Sequence, residues 1–284
     1  MSAVSIALSA EEKVQVVNNL ITQAPPGEFI DVFNDLRVLL NDDDLMREQI
    51  AISFVKYNPL SFTPVSIPGH GQVLVTHHGD LGQGRFLDPI RNISFKFDHL
   101  PKEATDPQLH NVYSKAEPWR AAMETVLKWY IAQHFSTGVC TVYEKTIHNQ
   151  QIIIGCMEAH QYNPSNFCNR SWKAEWKFTV SSPITQLTGN VKVQGHYFED
   201  ASVHMSTVKE VEETLYLTDP VQAAKEFVSI VERAEAELHK TLMEDYASLS
   251  DTALKALRQA LPITRTKLDW DKMSSYKVIP APSN

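Results

Sequence analysis

Ser171–Val180 reads SWKAEWKFTV. Trp172, Ala174, Trp176, Phe178 and Val180 alternate with Lys173, Glu175, Lys177 and Thr179. Successive side chains of a strand point to opposite faces, so this spacing predicts a long strand with one apolar and one polar face. Val191, Val193, Gly195 and Tyr197 repeat the two-residue period in the next strand. Upstream, Val139–Ile147 and Gln151–His160 flank His148-Asn149-Gln150, a hairpin connection. Gly138 to Leu217 therefore reads as an antiparallel meander of about five long strands.

The chain then changes period. Asp219-Pro220 opens a helix, with Asp as N-cap and Pro at the first helical position. Neither Gly nor Pro occurs from Val221 to Leu261, a run of 41 residues. Val221, Ala224, Val228, Val231, Ala234 and Leu238 form its apolar stripe. Thirty residues of helix extend about 45 Å, whereas five strands at ~4.8 Å spacing span only about 24 Å. The helix outruns the sheet, and a second subunit is the simplest source of the missing surface.

Upstream of the sheet lies a different texture. Ser9-Ala10-Glu11-Glu12 fits a capping box, and Val14, Val17 and Ile21 follow at helical spacing until Pro25-Pro26-Gly27 stops the element. A second helix runs from about Glu28 to Leu40 with Phe29, Val32, Phe33, Leu36 and Leu40 on one side. Asp42–Asp44 form a turn and cap, and a third helix carries Leu45, Ile52 and Val55. From Asn58-Pro59 to about Pro107 the chain is rich in Pro and Gly, with short β-like runs at Gln72–Thr76 and Ile93–Phe97. Near Pro118 helical spacing returns, with Trp119, Met123, Val126 and Tyr130 on one face. The class is α+β.

Hydrophobic content of 43% and charged content of 21% suit a folded soluble protein. No run approaches the roughly 20 apolar residues of a membrane span. MSAVSIALSAEEK lacks a basic n-region, so it does not read as a signal peptide. Cys140, Cys156 and Cys168 form no C-x-x-C pair and read as buried free thiols in a reducing cytoplasm. Asn92-Ile93-Ser94 and Asn169-Arg170-Ser171 match glycosylation acceptors by chance. A formal net charge of −8 argues against general nucleic-acid binding.

One segment opposes that balance. Ala253–Lys277 carries six basic side chains against two acidic ones, a net of +4. Leu254, Leu257 and Leu261 make an apolar strip flanked by Lys255 and Arg258. Pro262 breaks the pattern; beyond it Arg265 and Lys267 alternate with Thr264 and Thr266, and Asp269 caps a short element with Trp270 and Met273. Read alone, this is a solvated helix end whose leucines pack back on the body.

Several runs resemble the alpha subunit family of F-actin capping proteins. They are TQAPPGEFIDVF (22–33), HGDLG (78–82) with RFLDP (85–89), ISFKFDHL (93–100), WKAEWKFT (172–179), HYFED (196–200) and PITRTKLDW (262–270). They span nearly the whole chain in family order. Departures are local: Ala201-Ser202 for the usual Gly-Asn, Gln83-Gly84 for Asn-Ser, and the end at Pro280–Asn284. The resemblance implies an N-terminal helical stalk (1–57), a small short-strand β region (58–111), a connecting helix, antiparallel sheet and long helix (112–249), and a tail or tentacle (250–284). It also implies an obligate α/β heterodimer sharing one wide sheet, which caps the barbed ends of actin filaments independently of calcium and without severing. Actin-binding residues would be Lys255, Arg258, Arg265, Lys267, Leu254, Leu257, Leu261, Trp270 and Met273. The family's middle basic contact belongs to an Arg-Arg pair; here that pair is Arg258-Gln259, one charge short.

Further partners implied by the resemblance are phosphoinositides, at Lys255, Arg258 and Arg265, together with myotrophin, proteins with capping-protein-interaction motifs, and dynactin. The setting is the cytoplasm and cytoskeleton. Enzymatic readings find little support. His77-His78-Gly79-Asp80 suggests metal ligands, but adjacent histidines on an extended segment point to opposite sides and no third ligand stands out. Gly79-x-x-Gly82-x-Gly84-Arg85 lacks the G-x-x-x-x-G-K-[ST] order and the following helix. No catalytic residue, metal or cofactor is expected. The alternatives are an enzyme, nucleotide-binding or hydrolytic, with an unrecognised site, and capping of an actin-related filament in a dynactin-like assembly.

Overall fold

A computed structural model describes residues 9–41, 43–111, 114–180, 183–198 and 203–251. Two units divide it, one ending at Ile230 and one beginning at Val231. Helices α1 (Ala10–Thr22), α2 (Phe29–Leu40) and α3 (Asp43–Leu60) come first. Ser9 caps α1, its hydroxyl accepting from the Glu12 amide while the Glu12 carboxylate accepts from the Ser9 amide. Asn41 ends α2 in the left-handed conformation, φ 47°. Val17, Ile21, Phe29, Leu36 and Phe54 make the core of this bundle, with Phe29 against Phe54 and Tyr57 at ring separations of 4.2 and 4.4 Å.

The third helix presents a face other than the one its periodicity suggests. Ile52 and Val55 are exposed, and Phe54 and Asn58 are buried instead. Asn58 is stable there because its hydrogen bonds are met: its side-chain amide donates to the His99 carbonyl at 2.9 Å, and Thr63 Oγ1 donates to its backbone carbonyl at 3.0 Å and to its Oδ1 at 3.4 Å. The helix continues through Pro59 to Leu60, since a proline in the last turn removes only one helical hydrogen bond. Asp43 and Asp44 open the helix, while Asp42 and the side chains of Asp43, Asp44 and Leu45 lie outside the described residues.

Six short strands follow. β1 (Thr63–Ile67) and β2 (Gly71–Val75) pair as one small sheet; β3 (Asp80–Gly82), β4 (Arg85–Asp88), β5 (Ile93–Asp98) and β6 (Glu103–Leu109) form another. Both contribute to one core containing Val65, Val73, Phe86, Phe95 and Phe97.

Helix α4 (Glu117–His134) precedes the main sheet. Its buried face holds Met123, Leu127, Tyr130 and Ile131, and also Arg120 and Glu124, while Trp119 and Val126 are half-buried. Burial works against the Arg120 charge, but hydrogen bonds to Glu117 and Glu124 outweigh it and hold the guanidinium firmly protonated.

Strands β7 (Val139–Ile147), β8 (Gln150–Asn163), β9 (Cys168–Thr179), β10 (Ile184–Tyr197) and β11 (Val203–Tyr216) form the expected meander, ordered β11-β10-β9-β8-β7. His148 and Asn149 both take left-handed φ, 49° and 63°, which suits the two-residue turn joining β7 to β8. Trp172, Ala174, Trp176 and Phe178 are buried, as their alternation predicts. The opposite face of β9 is partly covered: Lys173 donates to the Leu60 carbonyl and Glu175 meets His78, while Lys177 stays exposed.

Helix α5 runs from Pro220 to Asp251, 32 residues. Asp219 caps it, its carboxylate accepting from the Val221 and Gln222 amides. Val221 is exposed, and the buried stripe up to Ile230 consists of Ala223, Ala224, Phe227 and Ile230. Phe227 meets the Trp176 ring edge-on at 6.1 Å. Trp176 in turn lies over Gly189, where a Cβ would stand 2.3 Å from the indole. Gly189→Ala should therefore cost about 2–3 kcal/mol through overpacking, lowering Tm by roughly 5–10 °C. Thermal unfolding checks this; an unchanged Tm would mean that the indole does not need the space.

Candidate functional site

Every residue that the sequence assigns to actin or phosphoinositide contact, from Leu254 to Met273, lies outside the described residues. The structure does describe what leads to them. Within the second unit Val231, Ala234 and Leu238 are buried, but His239, Lys240, Thr241, Met243, Glu244 and Asp245 are exposed. Among the described residues, the last turns of α5 are thus mostly exposed, with Leu242 half-buried. Asp251, its final residue, stands three positions before Leu254.

A second surface is the edge of the main sheet. All 14 residues of β11 pair with β10, and among the described residues no strand pairs with its other side. At ~3.4 Å per residue this edge extends about 48 Å. His204, Ser206, Val208, Glu210, Glu212, Thr214 and Tyr216 alternate as exposed positions on it. Long free edges are ordinarily blunted or covered, and Val208 and Tyr216, each more than half exposed, add apolar surface.

The runs shared with the family have structural work within this chain. His196 Nδ1 contacts the carboxylate of Glu28, which also accepts from Asn169 Nδ2, tying the start of α2 to β9 and β10. Asn169 is itself buried, which leaves it unsuited to glycosylation. Asp88, fully buried, pairs with Arg91 at 2.6 Å. Arg85 is held by Asp106 at 2.8 Å and by Ser94. The Gly-rich run is the β3–β4 hairpin, with positive φ at Gly82, Gln83 and Gly84; Arg85 enters a strand and not a helix, so the run does not build a phosphate loop.

The cysteines are free thiols, Cys140 and Cys156 buried and Cys168 half-buried. Burial pushes Cys140 up to about 12 and raises Cys156 as well, so both remain protonated and poorly nucleophilic. A cavity of about 450 Å³ opens beside the ends of α1 and α3, lined by Tyr57, Glu158, Trp172, Lys173, Lys192 and His204 among others. Lys173 and Lys192 face each other across the β9–β10 pair. Burial and their mutual repulsion depress Lys173 to about 8, and burial lowers Lys192.

One expectation about the histidines is corrected. Residues 76–79 form a turn, closed by the Gly79 amide donating to the Thr76 carbonyl at 3.1 Å. A turn places consecutive side chains on one side, where an extended segment would separate them. The His77 and His78 rings lie 3.8 Å apart, centroid to centroid, and Glu175 supplies the third group that sequence spacing cannot reveal.

Comparison with known proteins agrees with the motif reading. The family described as F-actin capping protein alpha subunit matches residues 17–280. The F-actin-capping protein subunit alpha of Caenorhabditis elegans is 38% identical over 278 residues, covering 95% of this chain and 97% of that one. The subunit alpha-3 of Rattus norvegicus is 36% identical over 270 residues, covering 94% and 90%. The fold is similar to that of a homodimeric actin capping protein alpha subunit from Plasmodium berghei, with a TM-score of 0.71 at 20% identity over 82% of this chain and 91% of that one. With a match that begins in α1 and extends past Trp270, the chain belongs to the F-actin capping protein alpha subunit family.

Proposed function

We propose that this chain is the alpha subunit of a heterodimeric actin-capping protein, which binds the barbed end of the actin filament and blocks subunit exchange there. The observation that carries this reading is the family match over residues 17–280, which includes the basic segment after Pro262. The free edge of β11 and the exposed turns of α5 support a heterodimer in which a beta subunit extends the sheet and lies along the helix. The tail from Leu254 to Met273 then contacts actin. Its positive charge steers encounter with an acidic filament, and Leu254, Leu257, Leu261, Trp270 and Met273 bury apolar surface that slows dissociation. Neither step uses calcium or breaks a filament bond, so capping is calcium-independent and non-severing. The function is binding, not catalysis, in the cytoplasm at the cytoskeleton.

Regulators fit the same surfaces. Phosphoinositide headgroups compete for Lys255, Arg258 and Arg265, while myotrophin and proteins with capping-protein-interaction motifs act on the assembled dimer. A dynactin-like assembly on an actin-related filament would use the same heterodimer.

The test is co-purification with a beta subunit, followed by barbed-end elongation from filament seeds with and without calcium. Nanomolar inhibition, equal in both conditions and without new ends, is expected. Unchanged elongation at micromolar complex would overturn the proposal.

A further inference from the structure

His77, His78 and Glu175 each offer one ligand atom, and these atoms lie within 4.8 Å of one another. They come from two distant parts of the chain, the turn after β2 and the middle of β9. His78 is nearly buried, its side chain 11% exposed, and its Nε2 stands 3.1 Å from Glu175 Oε2. That nitrogen is fully enclosed, with the Glu175 carboxylate set against it. His77, by contrast, is exposed. The trio has one enclosed nitrogen, one half-buried carboxylate and one solvent-facing nitrogen.

We propose that His77, His78 and Glu175 form a divalent-cation site that takes Zn²⁺. Two imidazole nitrogens and one carboxylate oxygen are a zinc donor set, with a fourth position open to water. Zinc at about 2.1 Å from each ligand brings tetrahedral ligand atoms to roughly 3.4 Å. Closing the trio from at most 4.8 Å to that spacing needs up to about 1.4 Å of movement, which the exposed His77 ring supplies by side-chain rotation. Glu175 provides the negative charge. Lys145 and Lys173 act on His77 electrostatically and oppose a cation; Lys173, however, is turned towards the Leu60 carbonyl and the face of Phe62, 5.3 Å from its centroid. The opposition of these lysines sets an affinity in the micromolar range, below that of closed structural sites. A bound ion clamps the turn after β2 onto the central sheet, and because the folded chain alone presents the trio, binding raises stability by mass action.

The test uses the full-length chain, in the assembly in which it purifies, after EDTA treatment and dialysis. Titration with ZnCl₂ by calorimetry should show one saturable micromolar site per chain, and zinc should raise Tm. His77→Ala, at an exposed position, should leave the metal-free Tm unchanged and weaken zinc at least about tenfold, abolishing the Tm rise. Glu175→Gln keeps the side-chain shape and should weaken zinc as much. Absence of saturable binding by the wild-type chain would refute the site and leave His78–Glu175 a structural pair. Binding unaffected by both variants would refute it too, by placing the ion elsewhere.

Discussion

Truncation before Leu254 should leave the folded complex intact and weaken barbed-end capping at least about 10³-fold. The described members of the apolar clusters around Phe29, Phe95 and Tyr143 lie between Val17 and Cys156. Removing residues 254–284 takes away none of these described members. What it removes is the basic segment, in a chain of net charge −8. Buried interface anchors contribute about 2 kcal/mol or more each, and every 1.4 kcal/mol is tenfold, so two anchors from Leu254, Leu257, Leu261, Trp270 and Met273 already account for about a thousandfold. The basic residues add a contribution that fades with salt, because the screening length falls from about 10 Å at 0.1 M to about 3 Å at 1 M. Circular dichroism and Tm should match the full-length complex, while seeded elongation records the loss. If truncated and full-length complexes cap within tenfold of each other, the tail is not the principal actin contact.

Elements whose local signals agree with their tertiary setting were legible in the sequence. The alternation in Ser171–Val180 identifies both the strand and its buried face, because Trp172, Ala174, Trp176 and Phe178 all pack inward. The Ser9–Glu12 capping box is equally direct, since both partners lie within one turn. Periodicity fixes a helix face only loosely when polar residues are buried. Asn58 and Arg120 look like surface residues until Thr63, His99, Glu117 and Glu124 are brought to them. On α5, Val221 continues the apolar spacing but stands at the first turn, where nothing covers it. The His77, His78 and Glu175 group was hidden for another reason. Its geometry depends on a turn at 76–79 and on the sheet carrying Glu175 there across nearly a hundred residues, and no local pattern encodes that distance. The proposed actin contacts are the reverse case: charge and spacing mark the segment, and the family resemblance alone assigns it to actin.

Expressed without a partner, the chain should aggregate or stay poorly folded, and co-expression with a beta subunit should give a soluble 1:1 complex. The cause is the 14-residue edge of β11 together with the exposed residues of α5 after Leu238. An edge of that length with apolar Val203, Val208 and Tyr216 exposed is a template for strand addition. A second copy of β11 could cover it by two-fold antiparallel pairing, the kind of symmetry a homodimer uses. Charge disfavours that solution. Val203–Tyr216 carries Glu210, Glu212 and Glu213 against a single Lys209, so self-pairing gathers a net negative charge on one strand pair, and self-repulsion opposes it. A partner with a neutral or basic edge avoids the repulsion, which favours a heterodimer. Light scattering coupled to size exclusion decides between these outcomes: a complex holding one 32.1 kDa chain and one beta subunit is expected. A monodisperse monomer would show that neither surface needs cover. A stable homodimer at low salt would show that the acidic edge tolerates its own copy, overturning the charge argument for an unlike partner.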